Sequence, residues 1–249
     1  MSGEQRRLVD DASRGNTTWL RDGRIAYTTV ERSLVFVSLA GSRRPQAFRV
    51  PNPRGPDTLD LGYAVSPDGT RVAYVHDCGL WLRNLATGRS TRVLRGEFAN
   101  VPDANSWSPD SSKFVAPNAS WEKKCREFYR YPPSENRIFN RDGRRIGIAP
   151  GGGTTWSRDS RWLAVFDGEH GTNVGGMQPL DVVSFPDQHI ASILRGGNTG
   201  PAFIGPGDRI LYGVYAHPET FGPPLETGYG AHPELWLGRL WLGRLRLGG

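Results

Sequence analysis

The chain is nearly without lysine. Its 31 basic residues are arginines except for Lys113, Lys123 and Lys124. The arginines are spread along the whole length, many beside turns, and form no stripe or patch. A nucleic-acid binder concentrates its positive charge, so the formal net charge of +6 reads as a solvated surface. Nucleic acid is disfavoured as a partner, and a general attraction to acidic partners is retained. Cysteine is scarce as well. Cys78 and Cys125 are the only two, which excludes a disulfide scaffold and any metal-type cysteine spacing. They fall in corresponding regions of adjacent repeats. Two free thiols are expected, and one bridge between them is the alternative.

No run of 18 apolar residues exists, so no membrane span is expected. The opening Met1-Ser2-Gly3-Glu4-Gln5-Arg6-Arg7 lacks the apolar core of a signal peptide. The expected location is cytoplasmic, or periplasmic or secreted where a leader has been trimmed. No G-x-S-x-G elbow occurs. Gly151-Gly152-Gly153 lacks the Lys-Ser/Thr and helix of a phosphate loop and reads as a linker. No cofactor is expected.

Turn formers, by contrast, are abundant, with Gly 32 and Pro 19. They imply many turns and disfavour long helices. The 249 residues suit one all-β domain, and hydrophobic content of 37% with eight tryptophans is enough for a real core.

The turns recur with a period. Five segments align: Trp19-Leu20-Arg21-Asp22-Gly23-Arg24-Ile25-Ala26-Tyr27, then Val65-Ser66-Pro67-Asp68-Gly69-Thr70-Arg71-Val72-Ala73-Tyr74. The third is Trp107-Ser108-Pro109-Asp110-Ser111-Ser112-Lys113-Phe114-Val115-Ala116. The fourth is Trp156-Ser157-Arg158-Asp159-Ser160-Arg161-Trp162-Leu163-Ala164-Val165. The fifth is a degenerate copy, Phe203-Ile204-Gly205-Pro206-Gly207-Asp208-Arg209-Ile210-Leu211-Tyr212. The leading apolar anchors are 46, 42, 49 and 47 residues apart, the period of a four-stranded propeller blade. Pro fixes the first corner of each turn, Asp bonds its own backbone, and Gly accepts a positive φ. The apolar run that follows reads as a strand buried on both faces, and the anchor fills space between blades.

Further strands follow each motif. Leu34–Leu39 and Leu80–Leu85 read as third strands, with fourth strands at Gln46–Val50 and Thr91–Leu94. In the third repeat Glu127–Tyr131 reads as the third strand, with an outer hairpin turning near Arg141-Asp142-Gly143. The fourth repeat continues through Leu180–Val183 and His189–Leu194. The expected fold is therefore all-β: a propeller of about five four-stranded blades in a single domain, 1–249. Its repeats lie near 17–56, 63–101, 105–150, 154–197 and 201–247.

These motifs resemble the WD40-like PD40 repeat of TolB-type propellers, whose core runs W-S-P-D-G-x-x-I-A-F. Repeats two, three and four match best, and the resemblance spans roughly residues 5–245. It implies a propeller and leaves function open, since fold does not dictate function. The chain departs from the family in having five recognisable repeats where six are common. Arg6-Arg7-Leu8-Val9 precedes Trp19 much as Thr91–Leu94 precedes Trp107. Residues 5–9 are thus a candidate closing strand, pairing with the last blade. The twice-repeated Trp-Leu-Gly-Arg-Leu run at 236–245 competes for that place as the last blade's third or fourth strand, a tail, or a truncated sixth blade.

In such a fold the A–B and C–D turns emerge on one face, and the B–C and D–A connections on the other. From anchor to third strand the distance is 15, 15, 20, 24 and 32 residues along the five repeats. Lengthening loops on a rigid scaffold are where binding resides. His76, His170, His217 and His232 fall in or beside these connections, together with Asp77, Asp167, Glu169, Glu219 and Glu226. No pair has short metal-type spacing, and no metal is expected. Trp121, beside Glu122-Lys123-Lys124, fits a partner contact or packing beneath its own loop. Tyr229, in the Pro/Gly-rich stretch 221–233, has the same two readings.

The leading expectation is a non-enzymatic interaction or scaffold module. It would bind a protein or peptide partner on the loop-rich face through Trp121, His170, His217, Tyr229 and His232. The alternative is a small-molecule or glycan site, with or without hydrolysis, in the central depression.

Overall fold

The computed structural model describes residues 7–13, 17–51, 63–77, 79–95, 98–99, 106–119, 135–150, 153–166, 180–194, 198–204, 209–215 and 233–239. These residues build five antiparallel sheets and no helix. Blade 1 comprises β1 (Thr18–Trp19), β2 (Ile25–Thr28), β3 (Ser33–Val37) and β4 (Arg43–Arg49). Blade 2 comprises β5 (Tyr63–Val65), β6 (Arg71–His76), β7 (Gly79–Asn84) and β8 (Ser90–Arg95). Blade 3 comprises β9 (Phe98–Ala99), β10 (Lys113–Ala119), β11 (Glu135–Asn140) and β12 (Arg145–Pro150). Blade 4 comprises β13 (Gly153–Trp156), β14 (Trp162–Phe166), β15 (Leu180–Ser184) and β16 (Ile190–Leu194). Blade 5 comprises β17 (Asn198–Ile204), β18 (Arg209–Tyr215) and β19 (Pro233–Arg239). Neighbours in sequence are neighbours in each sheet, the up-and-down meander of a propeller blade.

The second strand of each blade carries the core. In β6, Val72 and Ala73 are fully buried and Tyr74 nearly so, because sheets cover this strand from both sides. Apolar residues facing one way meet the preceding blade, and those facing the other way meet the next. Leu20, Ala26, Leu34 and Phe36 of blade 1 pack on Tyr63, Val65, Val72 and Tyr74 of blade 2. Ala73, Leu80 and Leu82 of blade 2 pack on Trp107, Phe114 and Phe139 of blade 3. Val115 and Ile138 of blade 3 pack on Trp156, Val165 and Phe185 of blade 4. β13 and β14 lie against β17, which carries the series to blade 5.

The repeats place most strands where their residues suggest, with three differences. The third strand of blade 3 is β11, not Glu127–Tyr131, which lies outside the described residues. What fixes β11 is a buried pair and a turn. Phe114 and Phe139 are directly paired with ring centroids 5.0 Å apart. Asn140 N–H then donates to Arg144 O at 2.9 Å to close the hairpin into β12. The anchor-to-third-strand distance in that repeat is therefore 28 residues, from 107 to 135. Secondly, the inner strand of blade 3 is split. Trp107 forms a single bridge with Phe114, while Phe98–Ala99 pairs with the far end of β10.

The third difference concerns the N-terminus. Arg7–Val9 lie in no strand, so among the described residues the closing pair with the last blade is absent. The segment joins blade 1 instead. Ala12 bridges Thr29, Ser13 N–H donates to Thr28 O and Val30 N–H to Asp11 O, and Val9 packs on Tyr27, Val35 and Val37. In the C-terminal run, Pro233–Arg239 is the third strand of blade 5, in register with β18 from Arg209↔Arg239 to Tyr215↔Pro233. Cys78 and Cys125 lie outside the described residues.

Candidate functional site

The face carrying the A–B turns is closed by its own hydrogen bonds. In blade 2 the Ser66 hydroxyl donates to Asp68 Oδ1 at 2.7 Å and accepts Arg71 N–H at 2.9 Å. Asp68 Oδ1 also accepts Thr70 N–H at 3.0 Å. Blade 3 repeats this through Ser108, Asp110 and Ser112, and blade 4 through Ser157, Asp159 and Arg161. Each Ser-x-Asp unit thus ties off the backbone of a tight turn.

The fourth turn residue alternates between two solutions. Gly69 has φ +69°, and a Cβ there would lie 3.3 Å from the Phe36 ring of blade 1. At the same position blades 3 and 4 carry Ser111 and Ser160, with φ of 57° and 61°. A left-handed backbone is costly for any residue with a Cβ. Here the hydroxyl gives something back. Ser111 Oγ accepts Asp68 N–H of blade 2 at 3.0 Å, and Ser160 Oγ accepts Asp110 N–H of blade 3 at 2.9 Å. Each turn is thereby fastened to the one before it.

Arginine completes the fastening. Arg21 N–H donates to Pro67 O at 2.8 Å, and its Nε reaches Pro109 O of blade 3 at 2.7 Å. Arg141, in the C–D turn of blade 3, meets Asp68 at 3.0 Å and Thr70 Oγ1 at 2.9 Å. Burial pushes the Asp68 carboxyl up, but Ser66, Thr70 and the Arg141 charge outweigh it and hold it below its usual value. Asp110 is likewise pushed up by burial and held lower by Ser108, Ser112 and Lys113. These carboxylates are committed to structure, which makes this face a scaffold.

The opposite face differs from blade to blade. The B–C connection is 29–32 in blade 1 and 77–78 in blade 2, but 120–134, 167–179 and 216–232 in blades 3, 4 and 5. The two short ones are tied down. His76 O accepts Trp81 Nε1–H at 2.8 Å, and Asp77 O accepts from Arg92 at 3.0 Å. The Arg92 guanidinium lies 5.6 Å from the centre of the Trp81 ring. The His76 and Asp77 side chains are exposed. Beneath them Ser13 Oγ and Thr28 Oγ1 are 2.7 Å apart, and Tyr63 OH donates to Thr28 Oγ1 at 3.4 Å. Burial drives the Tyr63 phenol up to about 12, against a smaller opposing pull from Thr28. It stays a neutral donor at physiological pH.

Trp121 belongs to connection 120–134, His170 to 167–179, and His217, Tyr229 and His232 to 216–232. All five lie outside the described residues. The strands on either side bring these three connections to one end of three consecutive blades. The histidine that is described on this face, His76, meets no carboxylate among the described residues. Among the described residues no three His, Cys, Asp or Glu side chains come together as a metal site, and no helix is long and apolar enough to cross a membrane. The Ser111 and Ser160 links and the reach of Arg21 were not anticipated. The replacement of Gly by Ser in a W-S-x-D-G turn was their signal in the sequence.

No family model matches the chain, and no curated protein matches it. Solved structures do match. Over 95% of its length the chain is similar to the propeller domain of the trilobed protease from Pyrococcus furiosus, described as having an open velcro topology. Identity is 15%, the TM-score is 0.53, and 70% of that chain is covered. The fold is a β-propeller. The chain is also similar to the acylaminoacyl peptidase of Pyrococcus horikoshii, at 16% identity and TM-score 0.55, covering 95% of this chain and 39% of that one. A third likeness is to the oligogalacturonate lyase of Vibrio parahaemolyticus. There identity is 10% and the TM-score 0.57, covering 96% of this chain and 66% of the lyase. The propeller thus spans well under half of the peptidase and about two thirds of the lyase. At these identities the likeness is one of fold.

Proposed function

We propose that this propeller is a non-enzymatic interaction module of the TolB-like, WD40-like repeat type, and that its B–C face receives a protein or peptide partner. One observation carries the reading. The A–B face spends its polar groups on turn-to-turn bonds, whereas three consecutive blades carry B–C connections of 120–134, 167–179 and 216–232 where blades 1 and 2 need only 29–32 and 77–78. A scaffold needs only short connections, and length beyond that on a rigid frame is the usual mark of a binding surface. Trp121 and Tyr229 supply aromatic anchors for a partner, and His170, His217 and His232 supply polar contacts. The peptidase and lyase activities named for the similar structures belong to those proteins.

The test is to replace 167–179 and 216–232 with short turns copied from blades 1 and 2. Parent and variant are then used to capture proteins from the source cells. The expected result is a stoichiometric protein held by the parent and lost by the variant, with the urea midpoint unchanged. A partner retained by the variant refutes the reading. Absence of any partner, with a melting temperature raised by a sugar, replaces it with ligand binding in the central depression.

A further inference from the structure

Trp19 behaves unlike the anchors it aligns with. In blades 3 and 4 the anchor indole is buried, Trp107 at 3% exposure and Trp156 at 7%. Each crosses to the preceding blade and donates its Nε1–H to a main-chain oxygen, Trp107 to Ala64 at 3.1 Å and Trp156 to Ser106 at 3.3 Å. Ala64 and Ser106 stand immediately before the anchors of their own blades, Val65 and Trp107. The boundaries of blade 2 with blade 3 and of blade 3 with blade 4 therefore share one recipe: an indole from the later blade, and from the earlier one the carbonyl one residue before its anchor.

Trp19 has the donor half of that recipe and, among the described residues, no acceptor. It is 60% exposed, although it pairs with Ile25 in the register in which Trp156 pairs with Leu163. Register places it in one row with Ile25 and Val37, on the face of blade 1 turned away from blade 2. Val9 covers the Tyr27, Val35 and Val37 part of that face, and Asp11 is held there by Arg43 and Tyr27. The indole remains uncovered.

The matching acceptor follows from the repeat. The anchor of blade 5 is Phe203, paired with Ile210, and before it stands Ala202, paired with Leu211. This is the register of Val65↔Val72 and Ala64↔Ala73 in blade 2. Ser106 O takes the Trp156 indole while also accepting Val115 N–H within its own sheet, so a paired carbonyl at this position is open to a second donor from the next blade. Ala202 O therefore corresponds to Ala64 O and Ser106 O.

We propose that the Trp19 face of blade 1 is an interface for a second copy of this chain, occupied by the face of that copy's blade 5 that is turned away from its blade 4. The Trp19 indole inserts beside β17 with its Nε1–H directed at Ala202 O. The folded chain leaves this indole exposed to solvent, so its own fifth blade does not fill the role. A second copy offers the kind of surface that the boundaries of blade 2 with blade 3 and of blade 3 with blade 4 already use. The contact joins unlike surfaces, and such contacts propagate into chains or small rings rather than closing as a two-fold dimer.

Sedimentation velocity of the full chain from micromolar to sub-millimolar concentration tests this. The parent should associate progressively. Trp19→Ala should be monomeric alone with an unchanged urea midpoint. A labelled sample of it should still co-sediment with the parent, because it keeps the accepting face. Trp19→Phe, which keeps a ring without the N–H, should associate several-fold more weakly than the parent. A parent that stays monomeric throughout overturns the proposal, as does a Trp19→Ala variant that associates like the parent. A monomeric Trp19→Ala that melts well below the parent also overturns it, since the chain's own blade would then be using the indole.

Discussion

Removing the Ser111 hydroxyl separates two effects that the turn holds in balance. Ser111 is 1% exposed, sits at φ 57° and accepts Asp68 N–H across the blade boundary at 3.0 Å. Ser111→Ala keeps the left-handed backbone and orphans the donor, which costs about 1–3 kcal/mol for a group shielded from water. Ser111→Gly loses the same bond but relieves the backbone, a gain of about 1 kcal/mol. At a positive φ that relief exceeds the added freedom of glycine in the unfolded chain. The expected order of stability is parent, then Ser111→Gly, then Ser111→Ala. Urea unfolding at a constant m-value measures it, and in a domain of this size each kcal/mol moves the melting temperature by roughly 2–4 °C. An alanine variant within about 0.5 kcal/mol of the parent would refute the inter-blade bond. A glycine variant less stable than the alanine would refute the strain. Ser160, with its bond to Asp110, should behave alike.

The anchors give a second test: Trp156→Ala should cost about 3–5 kcal/mol in urea, the usual range for emptying a buried aromatic site. Gly69→Ala should also destabilise, because it meets both a φ of +69° and the Phe36 ring at 3.3 Å. Equal midpoints for parent and variant would show that blade 1 yields there. Asp68 and Asp110 have folded-state values below those of the unfolded chain. Their contribution is therefore present above the unfolded carboxylate value, about 3.9, and is lost as pH falls through the lower folded value. Urea midpoints taken down through that range should fall, and Asp68→Asn should flatten the fall. Asp11→Asn removes the half-buried partner of the exposed Arg43, a loss too small to move global stability. Its expected signature is faster amide exchange in residues 11–13 with the global midpoint unchanged.

Local chemistry made most of the architecture readable. A turn of Ser, Pro, Asp and Gly followed by a short apolar run is determined within a dozen residues, since each side chain acts on its own backbone. Five such units at a blade-like period left little choice of fold. The tight A–B turns were recognisable as scaffold for the same reason. The third strand of blade 3 was not legible. Glu127–Tyr131 and Glu135–Asn140 both have the composition of a strand, and the choice fell to the pairing of Phe139 with Phe114. The N-terminal segment was misplaced for a related cause. Arg7–Val9 resembles an outer strand, yet Val9 found an apolar surface on blade 1, and a surface made by two strands is invisible in either of them.

The candidate site divides the same way. The sequence by itself determined the repeat, the turn chemistry and which connections grow long, because spacing and residue type settle those locally. Only the tertiary structure decided that Ser111 and Ser160 bond a neighbouring blade, that Arg21 reaches blade 3, and that Trp19 stays exposed while Trp107 and Trp156 are buried. These depend on what lies opposite each side chain. Three tryptophans at the same place in the repeat have different fates because two of them meet a carbonyl of the preceding blade and the third is left exposed.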